Sequence, residues 1–198
     1  MKAGIVTIND DNNYGNKLQN YAVQIFLENN NIDVKTIKNM PNINNKEKSK
    51  LKYYKKRLRN HLHKIKMGLK NINKPNKRKK KFLEFNKENI KFTKLVFNIN
   101  NKNIVKKYDY FIAGSDQVWN PTFGRLSDFD LLNFAKPEQR IAFSASFGIS
   151  KLPENCKEKA KKELQKYKAI SVREDTGKKI VEELTKREDV QVLVDPTM

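Results

Sequence analysis

The sequence predicts an α/β fold, a doubly wound and mostly parallel Rossmann-like sheet. Three observations carry this expectation. Short apolar runs of strand length recur along the chain: KAGIVTI at 2–8, YFIA at 110–113, RIAFSAS at 140–146 and AISVR at 169–173. Segments with helical spacing alternate with them. The first two strands are joined by one such helix, which implies a parallel pair with a right-handed crossover.

Taken in order, strand 2–8 turns polar at Asn9, and a loop over 9–14 follows. Gly15 opens a helix in which Leu18, Tyr21, Ala22, Ile25 and Phe26 recur at spacings of three and four, the mark of one apolar face. Asn29, Asn30 and Asn31 stop it, and IDVKTI at 32–37 alternates as a second strand. Beyond the strand at 110–113, LLNFA at 131–135 and RIAFSAS read as two further strands. A charged surface helix over 154–167, the strand AISVR, a helix over 175–186 and a last strand VQVLV at 190–194 complete the pattern. Asp195-Pro196-Thr197 ends that strand.

The charge is unevenly distributed. Of the net +20, all falls in residues 41–107, which hold 23 Lys/Arg against Glu47, Glu84 and Glu88; the other residues balance 19 basic against 19 acidic. The chain therefore reads as one neutral lobe over 1–198 carrying a Lys/Arg-rich helical insertion at 41–107. Within the insertion, Leu51, Tyr54, Leu58, Leu62, Ile65, Leu69 and Ile72 form one apolar stripe on a predicted helix. The run at 73–76, with Pro75, breaks it, and a short helix over 79–87 follows. A solvated face whose stripe packs on the lobe is the plain reading of this helix. An anionic membrane surface is the partner ranked next. Nucleic acid ranks below it, because no nucleic-acid motif accompanies the charge.

Several classes are excluded. No run approaches the ~20 apolar residues of a membrane span. The first eight residues are too short for the apolar region of a signal peptide. Cys156 is the single cysteine, so no intrachain disulfide can form and a reducing cytoplasm is the expected compartment, with a peripheral position at the inner face of the plasma membrane if the insertion meets lipid. His61 and His63 do not share a helix face and lack companion ligands, so no metal site is expected. No GxGxxG motif, P-loop or nucleophile elbow occurs, and no cofactor is expected.

Ligands in doubly wound sheets collect at the carboxyl ends of strands. Three polar clusters fall there. The first holds Asn13, Tyr14, Gly15 and Asn16 at a helix start, either a cap or an anion site. The second is Gly114, Ser115, Asp116 and Gln117, followed by Trp119. It reads either as a structural turn or as a site in which Gly114 allows close approach, Asp116 is a general base or hydroxyl acceptor, and Trp119 stacks on a sugar or fills the core. The third is Arg173 and Glu174, an anion clamp and cap or simply an ion pair.

These clusters in this order resemble the polysaccharide pyruvyl transferase family. The carrying motifs are Asn13-Tyr14-Gly15, Leu18-Gln19-Asn20-Tyr21-Ala22, Tyr108-Asp109, Gly114 through Pro121 (GSDQVWNP), Ala145-Ser146-Phe147-Gly148, Ser171 through Glu174 (SVRE) and Asp195-Pro196-Thr197. The likeness covers nearly the whole chain outside 41–107. It implies transfer of a pyruvyl group from phosphoenolpyruvate, as co-substrate, to a hydroxyl pair of a cell-surface saccharide, lipid-linked acceptors included. The implied fold is one lobe of a two-lobed, GT-B-like transferase. Family members are longer, so the expectation is an N-terminal lobe of a split, truncated or partial gene product, inactive alone, with the donor-binding second lobe missing here or carried on another chain. By the same likeness Asp116 is expected to orient or deprotonate the acceptor, with Asn13, Tyr14, Gly15, Asn16, Gly114, Ser115, Gln117, Trp119, Ser146, Arg173 and Glu174 around it. A non-catalytic carbohydrate- or membrane-binding lobe and a transferase using a nucleotide sugar remain as alternatives.

Overall fold

The computed structural model describes residues 1–10, 13–38, 77–96 and 102–198. They form a six-stranded sheet in the order β2-β1-β3-β4-β5-β6, with every neighbouring pair parallel. The strands are β1 (Lys2–Val6), β2 (Asp33–Thr36), β3 (Tyr110–Asp116), β4 (Arg140–Ala145), β5 (Ala169–Val172) and β6 (Gln191–Val192). The helices are α1 (Tyr14–Asn29), α2 (Lys77–Asn89), α3 (Lys102–Val105), α4 (Glu154–Leu164) and α5 (Asp175–Thr185). The expected α/β architecture is the observed one. The chain leaves β1 to one side for β2 and returns across it to β3, so the winding reverses between β1 and β3, the place where such sheets open a crevice.

The core is divided by the sheet. The larger cluster joins Phe111, Ala113, Trp119, Leu131, Leu132, Phe147, Leu164, Ile170 and Val181 and takes in α4 and α5. The smaller joins Ala3, Ile5, Val34 and Ile112 to Val23 and Leu27 of α1. Strand centres buried on both faces explain why their sequences read as continuous apolar runs.

The helix α1 departs from the expectation in an instructive way. Leu18 and Phe26, two members of the predicted apolar face, are half-exposed, whereas the buried face carries Asn16, Lys17, Asn20, Val23, Gln24 and Leu27. The polar members are paired. Thr36 Oγ1 donates to Asn20 Oδ1 at 2.8 Å, Gln24 Nε2 donates to the Asn89 carbonyl at 3.0 Å, and the Lys91 amide donates to Gln24 Oε1 at 2.8 Å. A polar side chain can face the interior once its hydrogen bonds are made there. Here those bonds stitch α1 to β2 and to the chain returning from α2.

That returning segment lies beside β2. The Thr36 amide donates to the Lys91 carbonyl at 2.8 Å and the Val96 amide to the Lys38 carbonyl at 2.8 Å, covering an edge that would otherwise be open. The short helix expected over 79–87 is α2, longer by a few residues at its ends. The stripe from Leu51 to Ile72, His61 and His63 lie outside the described residues.

Two expected strands need correction. LLNFA forms turns: the Leu131 amide donates to the Ser127 carbonyl at 2.9 Å and the Asn133 amide to the Asp128 carbonyl at 2.9 Å. Asp130, nearly fully buried, accepts from the Arg125 guanidinium, the Ser127 amide and the Ser127 hydroxyl. This cage closes the loop locally and presses Leu131, Leu132 and Ala135 into the core without a strand partner. An apolar run reports burial, and burial does not require a ladder. VQVLV shrinks to the two residues of β6, since only Gln191 and Val192 have strand partners on β5.

Candidate functional site

Asp116 ends β3 at the reversal point and is 7% exposed. One carboxylate oxygen accepts the Gln117 amide at 2.7 Å, and the other accepts the side-chain amide of Asn16 from the first turn of α1. Asn13 caps that helix, its side chain accepting from the Asn16 amide at 3.4 Å. The first cluster of the sequence thus both starts α1 and delivers Asn16 to the second cluster. Thr7, just past β1, ties the strands together here by donating its hydroxyl to the Ser115 carbonyl at 3.2 Å.

Burial is the largest influence on Asp116 and pushes its pKa above the usual carboxylate range. The Gln117 amide, the Asn16 amide and the charge of Arg173 pull the other way without cancelling it. Asp116 is therefore a stronger base than a solvated aspartate, held by two donors in a fixed orientation.

The third cluster closes the next strand end. Arg173 follows β5 and pairs with Asp195 at 2.9 Å and more loosely with Glu174 at 3.7 Å. Gln19 of α1 donates to the same Asp195 carboxylate at 2.6 Å. Burial opposes the charge on Asp195, but donors from Thr197, Gln19 and Arg173 outweigh it and hold the carboxyl down at about 2. Asp195 therefore bridges the start of α1 to the end of β5 across the intervening strand ends. Gln19 and Asp195 were absent from the predicted site set, although both stand inside motifs that carry the family likeness. The usable signal was a long polar side chain and a carboxylate at predicted element ends.

Glu174 is the residue before α5, but its side chain does not cap that helix. Its Oε1 accepts from the Ser146 hydroxyl at 2.7 Å, the Phe147 amide at 3.1 Å and the Gly148 amide at 3.2 Å. It locks the loop leaving β4, and the fully buried Ser146 serves that lock. Gln117 packs over Gly148 and accepts from Asn120 at 2.6 Å.

Several predicted site residues have structural duties instead. Trp119 is fully buried: its indole N–H donates to the Asp130 carbonyl at 3.2 Å and its ring packs on Phe147 and Tyr167. It offers no face to a sugar, which corrects its assignment as a binding platform. Gly114 allows close approach, but of a strand rather than a ligand: a Cβ there would lie 2.2 Å from the Phe143 carbonyl oxygen. The Ser115 side chain is fully buried with its hydroxyl unpartnered, while its carbonyl accepts from the Thr7 hydroxyl. Tyr14, two residues before Asn16, is 49% exposed, with Phe82 of α2 at 4.0 Å. Gly15 beside it leaves Asn13 room to cap, since a Cβ would sit 3.2 Å from Asn13 Oδ1. Among the described residues no cluster of His, Cys, Asp and Glu could hold a metal ion, and no helix is long and apolar enough to cross a membrane.

The class the structure defines is a parallel α/β lobe with a buried carboxylate at its switch point, flanked by amides and an ion-paired arginine. The family model described as polysaccharide pyruvyl transferase matches residues 13–198, and the chain belongs to that family. No curated protein and no solved structure matches it.

Proposed function

We propose that the chain takes part in pyruvyl transfer from phosphoenolpyruvate to a saccharide of the cell surface, and that the crevice between β1 and β3 receives the acceptor. The overall reaction forms two C–O bonds from an acceptor hydroxyl pair to C2 of the pyruvyl unit and breaks the C2–O bond to phosphate. One hydroxyl proton ends on C3, making the methyl group, and the other leaves with the phosphate. In this reading Asp116 receives a hydroxyl proton, Asn16 holds the carboxylate in place, and Tyr14 supplies the aromatic wall. The observation that carries the reading is the buried, amide-held Asp116, whose basicity burial raises.

The donor half is proposed to come from outside this lobe. Phosphoenolpyruvate is a trianion and requires several cations at close range. Of the cations at these element ends, Arg173 is engaged by Asp195 and Glu174, Lys17 is buried in the first turn of α1, and Arg78 of α2 lies over the Tyr14 and Phe82 rings. A separate lobe carrying uncommitted Arg, Lys or His would complete the site. The lone, unpaired Cys156 supports a cytoplasmic setting for the reaction.

Saturation-transfer NMR with simple hexosides and a coupled phosphate-release assay test this together. The expected result is weak saccharide contact that Asp116→Asn and Asn16→Ala diminish, with no phosphate release from phosphoenolpyruvate by this chain alone. Release by the chain alone would overturn the division of the site. Thermal stabilisation by a nucleotide sugar, with none by saccharide, would favour the glycosyltransferase-like alternative.

A further inference from the structure

We propose that the basic run opening α2, residues 77–81, together with Leu83, is a docking surface for an anionic lipid bilayer. Residues 77–81 read Lys-Arg-Lys-Lys-Lys and all five are exposed. No acidic residue stands in the first turn of the helix. The start of a helix already bears partial positive charge, so cations there work against the helix itself. Lys80 pairs with Glu84 one turn on at 3.7 Å and Arg78 lies over the Phe82 ring at 5.7 Å, yet five cations in succession exceed what those contacts use. Over residues 77–96 the chain carries eight Lys/Arg against Glu84 and Glu88.

The helix is anchored, so these charges ring its first turn at a fixed place beside α1, with Lys79 and Lys80 on the same side as Leu83. Phe82 is fully buried and lies 4.0 Å from the Tyr14 ring, while Phe85 meets Tyr21 edge-on at 5.8 Å. Leu83 follows the basic run and is 43% exposed. Lysines and arginines beside one exposed aliphatic side chain match an interface of anionic headgroups over acyl chains. Single-stranded nucleic acid fits less well, because stacking on successive bases needs a row of free aromatic faces, and here Phe82 and Phe85 are turned onto α1 and Tyr14 is itself packed on Phe82. The Arg78 guanidinium lies 6.0 Å from the Tyr14 ring, so the basic run reaches the start of α1. Docking rests on charge and exposure and stands whether or not the acceptor reading does.

Co-sedimentation of the full chain with vesicles tests it, using phosphatidylcholine alone and phosphatidylcholine mixed with phosphatidylserine. Binding is expected on the anionic vesicles, falling steeply as salt is raised. Each Lys or Arg near such a surface strengthens partitioning about 5-fold, so changing Lys77, Arg78, Lys79, Lys80 and Lys81 together to Gln is expected to weaken it by about 100-fold or more. Gln has nearly the helix propensity of Lys, so α2 should persist in that variant, with circular dichroism as the check. Leu83→Gln leaves every charge in place and is expected to weaken binding several-fold. A control changes five exposed lysines elsewhere, Lys136, Lys151, Lys161, Lys162 and Lys179, to Gln and is expected to lose far less. Equal binding to neutral vesicles, retention of binding by the α2 variant, or an equal loss in the control would each overturn the proposal. Displacement from anionic vesicles by single-stranded RNA at matched phosphate concentration would overturn it in favour of a nucleic-acid partner.

Discussion

Replacing Asp195 by Asn tests the electrostatic frame of the site most directly. Its carboxylate accepts from the Thr197 amide at 3.0 Å and the Thr197 hydroxyl at 2.7 Å on one oxygen, and from Gln19 at 2.6 Å and Arg173 at 2.9 Å on the other. These donors lower its pKa from 3.8 to about 2. At about 1.4 kcal/mol per unit, the preference of the fold for the charged form is worth roughly 2.5 kcal/mol. The Asp195 side chain is 17% exposed, so solvent screening reduces this to about 1–2 kcal/mol. A folded pKa below the unfolded value gives stability that is present above pH 4 and is lost as pH falls through 3.8 toward 2. Asp195→Asn is therefore expected to lower Tm by about 2–8 °C at pH 7 for a chain of this size. The deficit should shrink as pH falls below 4. Thermal unfolding of both proteins across this range is the assay. A deficit that stays constant with pH would show that the Asn substitution acts through shape or neutral hydrogen bonding, and would refute the charge argument. A Tm unaffected at pH 7 would remove Asp195 as the tie between α1 and β5.

Other perturbations separate binding from architecture. Asp116→Asn is expected to raise Tm at neutral pH while reducing saccharide contact: burial raises the folded pKa of Asp116, so its charged form costs stability as pH rises above the unfolded value, and the gain should vanish in acid. A pH series of Tm differences checks the sign. Trp119→Ala is expected to cost about 3–5 kcal/mol by opening a core cavity, whereas Trp119→Phe, followed by denaturant unfolding, should cost less and leave saccharide contact intact. Gly114→Ala is expected to prevent normal packing of β3 on β4, read as loss of soluble folded protein, because the added methyl carbon collides with backbone rather than with a flexible side chain. Glu163→Ala strands the buried Arg140 guanidinium, paired at 2.7 Å, and is expected to destabilise the chain by about 3–5 kcal/mol in the same assay.

The parts of the site legible in the sequence were those set by local chemistry. Asn13 as a helix cap, Asp116 at a strand end and Arg173 beside Glu174 follow from residue type and position within an element. What each residue touches was not legible. Asn16 and Asp116 are 100 residues apart, and Gln19 and Asp195 are 176 apart. No local pattern encodes such a meeting; the strand order creates it. Trp119 illustrates the same limit, because a tryptophan after a polar turn reads alike whether the next loop covers it or leaves it open. The loop around Asp130 covers it.

By itself the sequence determined the α/β class, the family and the concentration of positive charge in one segment, since these depend on periodicity, ordered motifs and composition. The tertiary structure alone decided which face of α1 is buried, that LLNFA fills a core without pairing, and that Glu174 braces a loop instead of capping a helix. The reason is physical. A side chain's role is set by whether water or another part of the chain satisfies it, and that is settled only when distant segments meet.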